Sequence, residues 1–228
     1  MKFGSITTGI VADGLVFNMD AANRASYIPN TTTVYNTTNT ILSGSFQNDV
    51  EFVGPPTASF SFGVDGVDDS IVFTETGDSI IDAPKTLSFW YYTDNGSQVG
   101  MLISRASNDY EVYQHTSGNA IWTYWGNQTI SYKISVVTGA WTHITYTIDD
   151  STSPYSTQNI YENGVLDDST QFGANPSYNN SSPLTLGVRA SSTSYYWDGK
   201  LANIQMYNRE LSANEVLHNY NALKSRFT

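Results

Sequence analysis

The chain has 228 residues, 10 Lys plus Arg against 21 Asp plus Glu, a formal charge of −11, and no cysteine. That charge repels a phosphate backbone and no Lys/Arg cluster offers a local exception, so nucleic acid is excluded as a partner. Zero Cys removes disulfides, thiolate metal sites and cysteine nucleophiles together. Aromatic residues at 14% with charged residues also at 14% leave Ser, Thr, Asn and Gly to cover the surface, which is a β-rich signature.

At the N-terminus, Met1 to Asp20 holds one Lys and an apolar run broken by Thr7, Thr8, Gly9 and Asp13. It fits neither a signal peptide nor a membrane span, and no membrane partner is expected. From Gly14 to Tyr207, short runs of Val, Ile, Thr, Tyr, Phe and Trp alternate with Gly, Asn, Asp, Ser and Pro clusters. The predicted strands are Leu15 to Met19, Ser59 to Val64, Ser70 to Phe73, Leu87 to Thr93, Met101 to Ser104, Tyr110 to His115, Ala120 to Trp125, Ile130 to Val136, Trp141 to Ile148, Asn159 to Glu162, Leu184 to Val188 and Lys200 to Tyr207. Tyr27 to Asp49, rich in Asn and Thr, reads as a long surface loop, and Asp150 to Gln158 and Gly173 to Ser182 read the same way.

Two strands show period-2 alternation of the half-buried kind: Thr142, Ile144, Tyr146 and Ile148 share one face, as do Ala202, Ile204 and Met206. Asn163-Gly164 predicts a type I′ reversal, because both central positions need positive φ. After the strands, Ser212-Ala213-Asn214-Glu215 spells a capping box, and Leu211 is placed to staple onto Val216. Val216, Tyr220, Leu223 and Phe227 then recur at helical spacing, so a closing helix with an apolar stripe must dock on the sandwich, with Lys224 and Arg226 near its negative end. Many short strands with no long helix between them point to an all-β, two-sheet antiparallel sandwich in a single domain over residues 1–228, the sandwich at about 10–209 and the helix at 212–227.

Several strings resemble one family in chain order: Gly14 to Asn23, Phe62-Gly63-Val64-Asp65-Gly66-Val67-Asp68-Asp69-Ser70-Ile71, Thr86 to Trp90, Trp141 to Tyr146, Tyr161-Glu162-Asn163-Gly164, Leu184 to Gly187, and Trp197 to Ser212 continued by Asn214 to Lys224. They are similar to the concanavalin A-like, laminin-G-like jelly rolls of phage structural proteins, cyanophage versions included. The resemblance implies a jelly roll with a lectin-like fold and a place on a virion, as a capsid decoration or accessory surface protein that contacts other virion proteins and forms a small homo-oligomer. The chain starts near the sandwich and ends at its helix, so no separate shaft or anchoring domain is expected, and attachment falls to the domain's own surface.

The superfamily's glucanases line their cleft with a Glu-x-Asp-x-x-Glu string, and a retaining glycosidase needs carboxylates about 5 to 5.5 Å apart. This chain has no such string, no Gly-x-Ser-x-Gly elbow, and only His115, His143 and His218 as candidate bases, none with a ligand-spaced partner, so no enzyme activity is expected. His143, on a strand beside Trp141, reads as a structural imidazole.

Two candidate sites remain. Asp65, Asp68 and Asp69 in one turn can offer oxygens to a structural Ca²⁺, with Asx-turn hydrogen bonding as the alternative. Asp20 and Asn203 join them only if the terminal strands meet, and Asn203 stands where the family often has an acidic residue. Aromatic rings at Tyr124, Trp125, Tyr195 and Tyr196 offer flat faces for a pyranose, making a glycan-binding adhesin for host surface polysaccharide the alternative function. Alternation puts Trp122 and Tyr124 on one face and Ile121, Thr123 and Trp125 on the other, so at least one of these rings belongs to the core.

Overall fold

A computed structural model describes residues 9–38, 42–54, 61–74, 84–105, 109–116, 120–126, 128–152, 154–174, 176, 178, 182–190, 192 and 194–228, with the backbone alone for 128–133. The strands are β1 Leu15–Met19, β2 Thr33–Tyr35, β3 Ser43–Gln47, β4 Glu51–Val53, β5 Ser61–Asp65, β6 Ser70–Phe73, β7 Thr86–Tyr92, β8 Gly100–Ser104, β9 Tyr110–His115, β10 Ala120–Trp125, β11 Gln128–Ser135, β12 Thr142–Asp149, β13 Ser156–Glu162, β14 Val165–Phe172, β15 Leu184–Leu186 and β16 Asp198–Tyr207; helix α1 Ala213–Leu223 and a 3₁₀ turn Lys224–Arg226 follow. The first sheet runs β14-β13-β12-β7-β16-β5-β4 with β1 also on β16, and the second runs β11-β10-β9-β8-β15-β6-β3-β2. All named pairs are antiparallel. The expected all-β jelly-roll sandwich with a short C-terminal helix is therefore the fold. Of the sequence-based expectations, Met1 to Thr8, Ser59, Phe60 and half of 173–182 lie outside the described residues.

The main core fills the space between the sheets, where Leu87, Phe89 and Tyr91 of β7 meet Ile144, Tyr146 and Ile148 of β12 and the inner faces of β6, β8, β9 and β10. The expectation of half-buried strands fails at β12. His143, Thr145 and Thr147, on its other face, are as buried as the core residues. Helix α1 and the segments at its ends cover that face. Trp90 stacks on Phe227 at 4.3 Å and on Tyr220 at 5.6 Å, and packs on His143 at 4.9 Å. Tyr161, Tyr207, Leu211 and Val216 form a second cluster beside it, which is the predicted staple, and the Ser212–Glu215 capping box is formed. Arg226 reaches past the helix end to clamp Asp20 with two hydrogen bonds of 2.8 and 2.9 Å.

In β16 the shared face expected for Ala202, Ile204 and Met206 is also broken. Ile204 and Met206 join the main core, whereas Ala202 packs with Trp90, Leu223 and Phe227 on the outside. A bulge at Asn203, whose φ is +47°, takes up one residue of the alternation. The bulge lies where β16 changes neighbours, from β5 along 198–201 to β1 along 204–207.

The Tyr27 to Asp49 stretch is not a surface loop. It contributes β2 and β3 to the second sheet and buries Tyr27, Val34, Asn36 and Leu42. Tyr27 sits against Phe46, Phe52 and Phe62, with centroids 4.7 to 5.6 Å apart. Asn36 stands in for a missing strand: its side chain accepts from Asn18 N and donates to Val16 O, at 2.9 and 3.1 Å. Strand β14 was also unread, because its Asp-Asp-Ser-Thr-Gln composition belongs to an exposed sheet edge, where charge discourages pairing with other chains. The reversal before it is as predicted, with Asn163 and Gly164 at φ +50° and +80°.

His143 has a testable consequence. Burial lowers its pKa from 6.5 to about 3, so the folded protein holds it neutral while Nε2 meets Ser88 Oγ at 2.9 Å. Between those values the unfolded chain binds the extra proton, so stability is full above pH 6.5 and drains away as pH falls toward 3. Urea unfolding across this window is expected to show a loss of up to about 1.4 kcal/mol per pH unit from this group, absent in His143→Gln.

Candidate functional site

With one sheet face under the helix and both inner faces in the core, the outer face of the second sheet is left open. Strands β9 and β10 build it by alternation. Glu111, Tyr113 and His115 of β9 point outward, and the register sets Trp122 opposite Tyr113 and Tyr124 opposite Glu111. Tyr113, His115 and Trp122 touch one another at centroid distances of 5.3 to 6.2 Å.

The loop after β15 closes this face from one side. Gly100 of β8 allows the approach, since a Cβ there would lie 2.6 Å from Tyr196 O and Trp197 Cα. Trp197 is fully buried and donates its indole N–H to Gln114 Oε1 at 2.9 Å. Gln98 clasps both backbone groups of Asp198, and Met101 N donates to Tyr195 O at 2.9 Å. These bonds hold Tyr195 at φ +63°, a conformation a tyrosine rarely adopts, with its ring 47% exposed.

A cavity of about 340 Å³ results, lined by Glu111, Tyr113, His115, Tyr124, Arg189 and Tyr195 together with Val99 and Met101. Arg189 donates to Glu111 from Nε at 3.0 Å and Nη2 at 3.4 Å, and its guanidinium lies 5.9 Å from the Tyr195 ring centroid. Ser104 Oγ donates to the same carboxylate at 3.2 Å. Burial and the Glu111 charge push the Tyr113 hydroxyl pKa up, and Arg189 offsets part of this. Stacking faces and fixed donors and acceptors thus surround one opening, which is what a hydroxyl-rich ring-shaped ligand requires.

Of the four aromatic candidates, Tyr124 and Tyr195 meet in this cavity, and Tyr196 lines the neighbouring one on the far side of the loop. Trp125 must be corrected. It lies on the core-facing side of β10, fully buried against Tyr110 at 5.8 Å, with its indole N–H bonded to Tyr178 Oη at 2.7 Å, so no sugar can reach its face. Glu111, Tyr113 and Arg189 went unread as site residues. Arg189 is one of only 10 Lys plus Arg, and that scarcity is the one signal the sequence held for it.

The carboxylates of Asp65, Asp68 and Asp69 fall within 4.8 Å of one another. Their contacts serve the backbone: Asp65 Oδ1 accepts from Val67 N and Asp68 N at 2.8 and 3.3 Å, and Asp69 Oδ1 from Asp49 N at 2.9 Å. Asp20 does not join them, being held by Arg226, and Asn203 accepts from Gln205 Nε2. Two of the three already accept backbone N–H groups, which fits the Asx alternative. Equal melting midpoints in Ca²⁺ and in chelator are expected, since only a ligand bound to the native state raises the midpoint.

A second cavity of about 340 Å³ opens beside this turn and gathers Asp49, Glu51, Asp65, Asp69, Asp94 and Asp198 around a single Lys200. Burial and the charge of Asp65 raise the pKa of both Asp69 and Asp198, whereas its backbone bonds lower that of Asp65. A carboxyl whose folded pKa is raised adds stability only at low pH, lost as pH rises through that value. Asp198→Asn is therefore expected to raise the melting temperature at pH 7, with the gain fading below the carboxylate range.

Comparison with known proteins agrees with this architecture. No curated protein matches the chain. Among solved structures, the receptor binding domain of the botulinum neurotoxin C/D mosaic serotype aligns with TM-score 0.71 and 13% identity, covering 92% of this chain and 52% of that one. The binding domain of botulinum neurotoxin DC in complex with SialylT aligns with TM-score 0.66 and 14% identity over 92% and 52%. A structure of botulinum neurotoxin type C, whose cell entry is described as dependent on two ganglioside molecules, aligns with TM-score 0.68 and 15% identity over 92% and 51%. The chain spans about half the length of these structures, and at such identities the likeness is one of fold. The family model of the concanavalin A-like lectin/glucanases superfamily, in its laminin G form, matches residues 65–217, from the Asp65 turn through β16 into α1, and the chain belongs to that family.

Proposed function

We propose that this domain binds glycan on the open face of its second sheet and does not transform it. The observation that carries this reading is the convergence of Tyr124 from a strand and Tyr195 from a loop on one cavity that also holds the Glu111–Arg189 pair. A lectin-like fold is consistent with it, and structural relatives described with SialylT and gangliosides lend support. The cavity lining has a single carboxylate, Glu111, already engaged by Ser104 and Arg189, whereas glycoside hydrolysis relies on two.

The particle-surface setting, as a head decoration or accessory protein that docks through the domain's own faces on virion partners, draws its support from the sequence resemblance. A glycan-binding face suits that setting, because a mounted module presents it outward to a host.

Binding of the purified protein to a glycan panel tests the proposal. Tyr124→Ala and Tyr195→Ala are each expected to weaken binding about tenfold, as truncated aromatic anchors do. Tyr155→Ala, an exposed ring away from this cavity, is expected to change nothing. Silence across the panel would sink the reading.

A further inference from the structure

The loop that carries Tyr195 does not end the open face; it divides it. On its other side lies a cavity of about 700 Å³ that includes Gln47, Asn48, Ser70, Thr185, Ser192 and Tyr196. Both cavities fall within the range of about 300–1,000 Å³ usual for ligand sites. Arg189 lines both, and of the consecutive residues Tyr195 and Tyr196 the first lines one and the second the other. The two openings therefore adjoin at Arg189, with this loop as the saddle between them.

The groove crosses the sheet from Tyr124 on β10 to Gln47 on β3. The order β10-β9-β8-β15-β6-β3 places five interstrand steps between them, or about 24 Å at the usual spacing of about 4.8 Å. A single terminal sugar leaves most of that length empty, whereas a run of several linked sugars fills both sides of the saddle.

Charge narrows the class further. Arg189 is the one Lys or Arg in the lining of either cavity, and Glu111 already holds it, while Asp68 adds a second carboxylate on the far side. With −11 on the whole chain, a uronate, sialate or sulfate meets net repulsion in this groove. Tyrosine faces and the amides and hydroxyls of Gln47, Asn48, Ser70, Thr185 and Ser192 are instead suited to uncharged rings bearing hydroxyls.

Resting on the glycan-binding reading above, we infer that the ligand is an internal stretch of an uncharged polysaccharide, laid across the Arg189–Tyr195–Tyr196 saddle. This differs from the sialic acid-bearing gangliosides named for one structural relative.

The probes are laminarin, dextran, mannan and galactan with their oligosaccharides graded by length, and alginate and heparin as anionic polymers. One of the neutral polymers is expected to bind, with affinity rising at least about tenfold from its disaccharide to chains long enough to pass the saddle. Tyr196→Ala, with an unchanged melting midpoint, is expected to remove that rise and leave disaccharide affinity as it was; Gln47→Ala, farther along the far side, is the second variant should the first disturb the loop. An affinity independent of chain length, equal loss on the disaccharide, or tighter binding of alginate or heparin would overturn this inference while leaving the glycan site intact. No binding to any probe would overturn both.

Discussion

The organising constraint is that the central strands β7, β12 and β16 are buried on both faces. Phe89, Ile144 and Ile204 look into the core, while Trp90, Ala202 and Tyr207 look the other way and must also leave water. Each buried aromatic removes a large apolar area from solvent, worth a few kcal/mol at about 25 cal/mol per Å², so a sheet with such an outer face demands a cover. Helix α1, its capping box and the stacked Trp90–Phe227 pair supply it. The polar groups trapped beneath are paired where the geometry allows, as in the Asn219 bonds to Tyr207 Oη and Gln205 Oε1. The asymmetry matters for the proposed function, because the helix covers the middle of the first sheet whereas the outer face of the second stays accessible.

On that free side the precision comes from beneath. Trp197 is a fully buried anchor, Gln114 accepts from its indole, Gln98 ties the backbone of the next residue, and Gly100 lets the two backbones approach more closely than any side chain would permit. Tyr195 is thereby held in a left-handed conformation that costs of order 1–3 kcal/mol and that surrounding contacts must over-determine. A ring presented by such a loop loses little further freedom on meeting a flat ligand, which favours binding. The Ser104–Glu111–Arg189 chain does the same for the polar side of the cavity.

Electrostatics distinguish the acidic cavity from the aromatic groove. In the acidic cavity burial and the Asp65 charge raise the pKa of Asp69 and Asp198, whereas the aromatic groove pairs its guanidinium with Glu111. On the proposed reading, the negative charge of the chain, with Glu111 and Asp68 in the lining, works against acidic ligands there.

Local chemistry by itself determined much of this protein. Asn163-Gly164 allows few backbones other than a tight reversal, Ser212 and Glu215 cap a helix with no help from distant residues, and the alternation in Ile121 to Trp125 sorted the rings onto two faces. Alternation is symmetric, however, and does not say which face meets the core. The second sheet decided that, by packing Trp125 inward and leaving Trp122 and Tyr124 outside. The Asn/Thr run that begins at Asn30 is too polar to read as structural from composition, yet Asn36 bonds to the backbone of β1, a partner 18 to 20 residues away. Likewise the Asn203 bulge and the Arg189–Glu111 pair, 78 residues apart, exist only once distant strands lie side by side. Short-range sterics and hydrogen bonding are written residue by residue, whereas the site is a meeting of segments whose adjacency is set by burying the whole core at once.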